Sequence, residues 1–398
     1  MRIVKVEDFE ADAGWRTFCF LKITTDEGLA GWSEFKEHYW SPGLTMVIRK
    51  LAPSVIGEDP RAVGRLSAKL HAMTRMTAGG QSHEAVAAFE NACLDVKAKA
   101  LGVPVYALFG GPIRTRIPVY WSHCGTFQAQ FPDIFEKLLG APPLRTLDDL
   151  KRLGESVLAR GYKAMKTNPI LFDAERPRML YPGFSRNPTE FTHNLEPRVL
   201  RGILEQLEAF RDGVGPDTGI LLDVNFSFKT EGLMRLAKAL EPLKLMWLEA
   251  DLHEPRGLAR VRGASCTPIG SLESLHGRAE YKAYFEHYAM DVAIVDVPWN
   301  GMLESFRIAA MAEAYEVNVA PHNFCGHLYT MINAHLAAAV PNFRILEFEV
   351  QDVPWKDELF TRAPVIENGE LVLSDAPGWG TEVNEEALKG RWLKPARA

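Results

Sequence analysis

Polar residues close a series of short apolar runs at a nearly constant interval. That interval limits the possible folds more than any other feature of the chain. The runs are IPVYW (117–121), YKAMK (162–166), GILLD (219–223), LMWLE (245–249), TPIGS (267–271), AIVD (293–296), VNVAPH (317–322) and RILE (344–347). Lys166, Asp223, Glu249, Asp296, His322 and Glu347 each end one of them. Asp223 to Glu249 is 26 residues, Glu249 to Glu273 is 24, Glu273 to Asp296 is 23, Asp296 to His322 is 26 and His322 to Glu347 is 25. One strand, one helix and two short loops fill such an interval. Eight strands alternating with helices predict an α/β fold, a (β/α) barrel. Catalytic groups in such barrels sit at the C-terminal strand ends, where these polar residues fall. A doubly wound sheet would repeat the local pattern without gathering six strand ends around one mouth.

The interval breaks once. Lys166 to Asp223 is 57 residues, and the extra length contains LYPGFSRNP (180–188), rich in turn formers and aromatics. A long loop inside a compact domain is commonly functional, so the 167–199 excursion is expected to form part of a pocket wall. Upstream of Ile117 the pattern differs. Strand-like segments at 3–6, 16–23 and 29–32 precede helical periodicity over 44–55, 60–73 and 83–101, which predicts a small α+β unit.

Composition excludes several classes. With 45 Lys+Arg against 51 Asp+Glu, the formal net charge is -6. No basic excess exists to attract nucleic acid or an anionic membrane. The opening MRIVKVEDFEADAGW has charges where a signal peptide needs an apolar core, and no stretch reaches the roughly 20 apolar residues of a membrane helix. Cys19, Cys93, Cys124, Cys266 and Cys325 form no Cys-x-x-Cys pair and read as reduced. The expectation is a cytoplasmic protein, a homo-oligomer, with a small-molecule carboxylate as its partner.

Asp223, Glu249 and Glu273 stand on three consecutive units. Carboxylates brought to one spot repel each other and lose solvation, and a divalent cation relieves both costs. An all-oxygen set favours Mg²⁺, or Mn²⁺, over zinc, so one Mg²⁺ per chain is expected. The alternative for each residue is to cap the helix that follows its strand.

At these spacings, Asp223-Val224-Asn225, Trp247-Leu248-Glu249 and Leu272-Glu273-Ser274 resemble the metal-binding strands of the enolase superfamily. Lys166, Asp296, His322 and Glu347 resemble the further signature of its mandelate racemase branch. GWSE (31–34) resembles that family's capping loop, and AFENACLDVKAKALG (88–102) the helix closing its N-terminal domain. The resemblance implies a capping domain over 1–115, a modified (β/α)7β barrel over 116–360, and a tail over 361–398 that returns to the cap. It also implies Mg²⁺-assisted removal of the proton α to a carboxylate, through an enediolate. His322 would be the base, oriented by Asp296. Lys166 would hold the developing charge. Glu347, when protonated, would hydrogen-bond the substrate carboxylate, although an ion pair with Arg344 is the competing reading.

One residue departs from the family pattern. Lys166-Thr167-Asn168 carries an amide at the second position of the Lys-x-Lys pair, so a two-base racemase lacks a base. A single dyad still suffices for β-elimination, with His322 removing the α-proton and then assisting loss of the β-hydroxyl. The leading reading is therefore a dehydratase turning a polyhydroxy (sugar) acid into a 2-keto-3-deoxy acid. A racemase, an epimerase or other enolate chemistry is the alternative, and a non-catalytic barrel the remote one. For substrate contact the candidates are Asn168, Asn225, Trp299, His38, Tyr39 and Arg75. Ordinary interface packing competes for His38 and Tyr39, and a solvated helix end for Arg75. His327 is expected on the next helix, outside the site.

Overall fold

The computed structural model describes residues 1–37, 42–172, 176–180 and 193–393. The chain opens with an antiparallel sheet in the order β1 (Ile3–Asp12), β2 (Thr17–Thr25) and β3 (Ala30–Phe35). Three helices follow: α1 (Leu44–Val55), α2 (Val63–Met73) and α3 (Gly80–Leu101). α3 is buried over most of its surface, as its alanine-rich sequence allows. Its contact with β3 depends on Gly31, where a Cβ would lie 2.2 Å from the Ala92 carbonyl oxygen.

The barrel strands begin with β4 (Arg116–Trp121) and β5 (Ala164–Thr167). A small hairpin of β6 (Ile170–Leu171) and β7 (Arg178–Met179) interrupts them. β8 (Gly219–Asp223), β9 (Trp247–Glu249), β10 (Ile269–Ser271), β11 (Val292–Val295), β12 (Asn318–Pro321) and β13 (Leu346–Phe348) complete the set. Neighbours pair in parallel from β4 through β12, and β13 pairs with β4. A parallel bridge between Val319 and Phe343 completes the circle. The first seven barrel strands are each followed by a helix, from Leu147–Ala159 after β4 to His327–Ala339 after β12. After β13 the chain enters a 3-10 turn, Asp357–Leu359, and the hairpin β14 (Val365–Glu367) with β15 (Glu370–Val372). The architecture is a (β/α)7β barrel with an N-terminal α+β unit.

β15 pairs antiparallel with the start of β4, on the barrel. Beyond it the chain turns to the N-terminal unit. The Trp379 indole donates to the Trp32 carbonyl at 3.0 Å, and the Leu393 N–H to the Glu10 carbonyl at 3.0 Å.

The barrel interior is filled by Tyr120, Ala164, Leu221, Trp247, Val292, Ala320 and Ile345. Trp247 fits because Gly270 faces it, where a Cβ would come within 2.5 Å of the indole. This packed layer is the floor on which the polar strand ends stand.

Candidate active site

Register sets the site. Asp223 on β8 lies opposite Glu249 on β9. Glu273 lies two residues past β10, beyond Leu272, whose φ of 92 is far outside the usual range for a branched residue. Asp251 holds that turn by accepting the Leu272 N–H at 3.0 Å and the Ser271 hydroxyl at 2.7 Å. Asn225 and His123, each just past a strand end, also take left-handed φ values of 44 and 48. Strained backbone of this kind costs about 1–3 kcal/mol per residue and collects at functional sites.

Lys166 is buried at the centre. Its Nζ lies 2.9 Å from Glu249 Oε1, 2.8 Å from Glu347 Oε1 and 3.9 Å from Asp223 Oδ2. Burial works against its charge, but Glu249 and Glu347 overcome that and raise its pKa well above the lysine norm. Burial raises the pKa of Glu249 to about 7, with Asp223 and Glu347 adding repulsion and Lys166 opposing. Glu273 is raised well above the carboxylate range by burial, with His322 opposing and Asp223 repelling. These raised proton affinities mark carboxylates that lack sufficient positive charge. In donor chemistry, three carboxylates on neighbouring strand ends, they fit a hard divalent cation. The side chains are otherwise engaged: Asn225 Nδ2 donates to Asp223 at 3.2 Å, and the Trp247 indole to Glu249 at 2.9 Å. As they stand, no three His, Cys, Asp or Glu side chains among the described residues are arranged around one cation position.

His322 follows β12. Its Nδ1 lies 2.6 Å from Asp296 Oδ2 and its Nε2 3.6 Å from Glu273 Oε2. Burial opposes its charge, yet Glu273 and the Asp296 hydrogen bond raise its pKa to about 9. Asp296 has two tasks. Its Oδ1 accepts the Trp299 N–H at 2.9 Å, capping the short helix Val297–Asn300, while Oδ2 faces His322 and accepts the Tyr329 hydroxyl. Trp299 and Phe324 flank His322, each with ring centroids 5.2 Å from it.

Two models of known families match the chain: Enolase C-terminal domain-like over residues 149–387, and Mandelate racemase / muconate lactonizing enzyme, N-terminal domain, over residues 12–110. The chain belongs to the enolase superfamily, in its mandelate racemase branch. It is therefore an enzyme by family. A D-xylonate dehydratase of Haloferax volcanii is 28% identical, the match covering 94% of this chain and 85% of the relative. A D-gluconate dehydratase of Thermoproteus tenax is 26% identical, over 97% and 72%. A Burkholderia xenovorans structure, named provisionally as an L-alanine-DL-glutamate epimerase, superposes with a TM-score of 0.95 at 47% identity, covering 98% of both chains. The same protein has been solved with magnesium and fumarate.

Against the enolase-superfamily pattern several expectations change. Glu347 faces Lys166 at 2.8 Å. Burial would raise its pKa, but Lys166, His322 and His123 outweigh that and bring it to about 2. Its partners are Lys166, the Ser122 hydroxyl and the Asn323 N–H at 2.9 Å, in place of the expected proton or Arg344. Asn168 is buried with its amide already committed. Nδ2 donates to the Asp223 carbonyl at 3.0 Å and Oδ1 accepts the Thr126 hydroxyl at 3.1 Å, so it braces two strand ends and leaves the substrate role without support. Asn225 serves Asp223. Arg75 is exposed in the turn Arg75–Thr77 and is not brought to these groups. Trp299 stands beside His322, with ring centroids 5.2 Å apart. His327 opens the next helix and pairs with Asp357 at 2.6 Å. His38 and Tyr39 lie outside the described residues, as do 173–175 and 181–192 of the long excursion.

Sequence reasoning missed three groups. Lys36, just past β3, places its Nζ 3.5 Å from the Phe324 ring centroid and 5.8 Å from that of Trp299. Tyr329 reaches Asp296 from the helix after β12. His123 pairs with Glu349 at 2.8 Å. The first two had no periodic signal, whereas His123 lies just past the first apolar run.

Proposed function

We propose that this enzyme is a Mg²⁺-dependent lyase that dehydrates a polyhydroxy carboxylic acid to its 2-keto-3-deoxy acid. The observation that carries the reading is the buried His322–Asp296 dyad, whose Nε2 faces Glu273. Asp223, Glu249 and Glu273 would hold one Mg²⁺ per chain. When bound, the ion would neutralise the substrate carboxylate and the negative charge of the enediolate. Lys166 adds a fixed cation to the same end of the substrate. His322 takes the α-proton at Nε2, and Asp296 accepts the Nδ1–H and fixes the tautomer. Glu273 is the leading group raising His322, so its engagement by a cation would move the imidazole toward its ordinary range, where it is a competent base near neutral pH. Trp299 and Phe324 flank His322, and the Lys36 ammonium lies against both rings. The dehydratase names of the relatives support the substrate class.

Epimerisation is the second reading, favoured by the name of the Burkholderia xenovorans neighbour. One experiment separates the two. The protein is incubated with Mg²⁺ in D₂O and a panel of D-xylonate, D-gluconate, D-galactonate, D-mannonate and dicarboxylic hydroxy acids. Dehydration yields a 2-keto acid that reacts with semicarbazide. Deuterium incorporation with a new epimer and no 2-keto acid would overturn the dehydratase reading.

A further inference from the structure

A second imidazole at the barrel mouth is built like the first. His123 follows β4, and its Nδ1 lies 2.8 Å from Glu349 Oε2, just as His322 Nδ1 lies 2.6 Å from Asp296. Among the described residues, the ring's hydrogen bonds, to Glu349 and to the Ser122 hydroxyl at 2.9 Å, use Nδ1. The side chain is 12% exposed, so the ring edge is not sealed in the core. Phe127 stacks on it at 4.4 Å and fixes its plane. Phe324 touches both imidazoles, with centroids 5.7 Å from His123 and 5.2 Å from His322. Ser122 donates to Glu347, which pairs with Lys166, so His123 adjoins the charged centre. Arg16, from the N-terminal unit, lies 4.0 Å from the same Glu349 oxygen. A left-handed φ of 48 at a non-glycine residue is the local distortion that sets His123 at this edge.

We propose that His123, oriented by Glu349, is the general acid that protonates the departing β-hydroxyl. The inference rests on the dehydratase reading and supplies the second acid–base group that Asn168 cannot. His322 takes the α-proton, and the C–H electron pair passes into the enediolate. That pair then forms the Cα–Cβ double bond as the Cβ–O bond breaks. The leaving oxygen keeps the electrons of the broken bond, takes the proton from Nε2 of the His123 imidazolium, and departs as water. His123 is left as the neutral Nδ1–H tautomer, donating to Glu349, and recovers a proton from solvent. The enol product ketonises as Cβ gains the proton carried by His322 and the enol O–H gives its proton to solvent, which leaves His322 neutral again.

The test separates two partial reactions in His123→Asn and Glu349→Gln, with Mg²⁺, D₂O and the acid turned over by the wild type. In His123→Asn, α-proton exchange should persist within about tenfold of wild type while 2-keto acid formation falls about 10²–10⁴-fold. Fluoride release from the β-fluoro analogue of that acid needs no acid and should stay near the wild-type rate. Glu349→Gln should show the same split, more weakly. A merely structural His123 would lower exchange, dehydration and fluoride release together, and that result, or unchanged dehydration, overturns the proposal. Wild-type exchange without any 2-keto acid would instead remove the dehydratase reading. A crystal structure with magnesium and fumarate checks the placement for any substrate: Nε2 of His123 should face the diacid, and a ring turned away from it defeats the assignment.

Discussion

Glu34, on β3 of the N-terminal sheet, accepts the backbone N–H of Tyr329, on the barrel, at 2.9 Å. Its other oxygen accepts the Gly326 N–H at 2.6 Å. A carboxylate from one unit thus caps the helix His327–Ala339 of the other, where orphan N–H groups and the helix dipole favour negative charge. That helix carries Tyr329, whose hydroxyl reaches Asp296 of the dyad. The N-terminal unit is linked to His322 through Tyr329 and Asp296.

Gly326→Ala should break this link. A Cβ there would lie 2.6 Å from both Glu34 oxygens, although the glycine φ of -76 suits any residue. The cost is steric, about 1–3 kcal/mol. Urea unfolding should show a lower midpoint and an unchanged slope, and an unchanged midpoint would show that Glu34 yields freely. Tyr329→Phe should leave the midpoint nearly unchanged and lower kcat.

Glu249→Gln should abolish Mg²⁺ binding, measured by calorimetry, and catalysis, while circular dichroism shows the barrel intact. Treatment with EDTA should silence the wild type, and added Mg²⁺ should restore it. Full activity after metal removal would sink the metal assignment.

His322→Asn should lose α-proton exchange and dehydration alike, by at least about 10²–10⁴-fold. Asp296→Asn should retain the pocket and lower the basicity of His322, slowing exchange and moving its pH profile to lower pH. Wild-type exchange in His322→Asn would move the base elsewhere, with Lys166 the first suspect.

His335 should make stability acid-sensitive. It is fully buried, its Nδ1 accepts the Tyr106 N–H at 3.0 Å, and its Nε2 faces the Trp379 carbonyl at 3.3 Å. Burial lowers its pKa to about 4. An unfolded histidine titrates near ~6.5. Between those values the unfolded chain binds the proton and the folded chain does not, so acid favours unfolding. The contribution is present above pH ~6.5 and is lost as pH falls through the folded value. His335→Gln should therefore destabilise the protein at neutral pH, with the gap to wild type narrowing toward pH 4 in urea titrations. A gap independent of pH would contradict the neutral buried imidazole.

Much of the site was legible because barrel strands impose a period. Lys166, Asp223, Glu249, His322 and Glu347 end or adjoin predicted strands, and parallel register brings such ends to one rim. Identity alone was less informative about state. Glu347 carries no sequence mark that separates a protonated ligand from a lysine partner, because that depends on Lys166 lying 2.8 Å away. Asn168 had the right strand position for substrate contact, and its commitment to Thr126 and Asp223 follows from side-chain directions that the sequence does not reveal.

The sequence by itself determined the strand–helix alternation, the order of the polar strand ends and the family, since these depend on periodicity and local residue chemistry. Tertiary structure alone decided which groups meet. Glu349 pairs with His123 across 226 positions, and Glu34 reaches Tyr329 across 295. Contacts of that separation arise when the barrel closes β13 onto β4 and the N-terminal sheet docks on the barrel, and no local pattern encodes them. The charge states follow for the same reason: desolvation and neighbouring charges fix a pKa, and both are properties of the packed site.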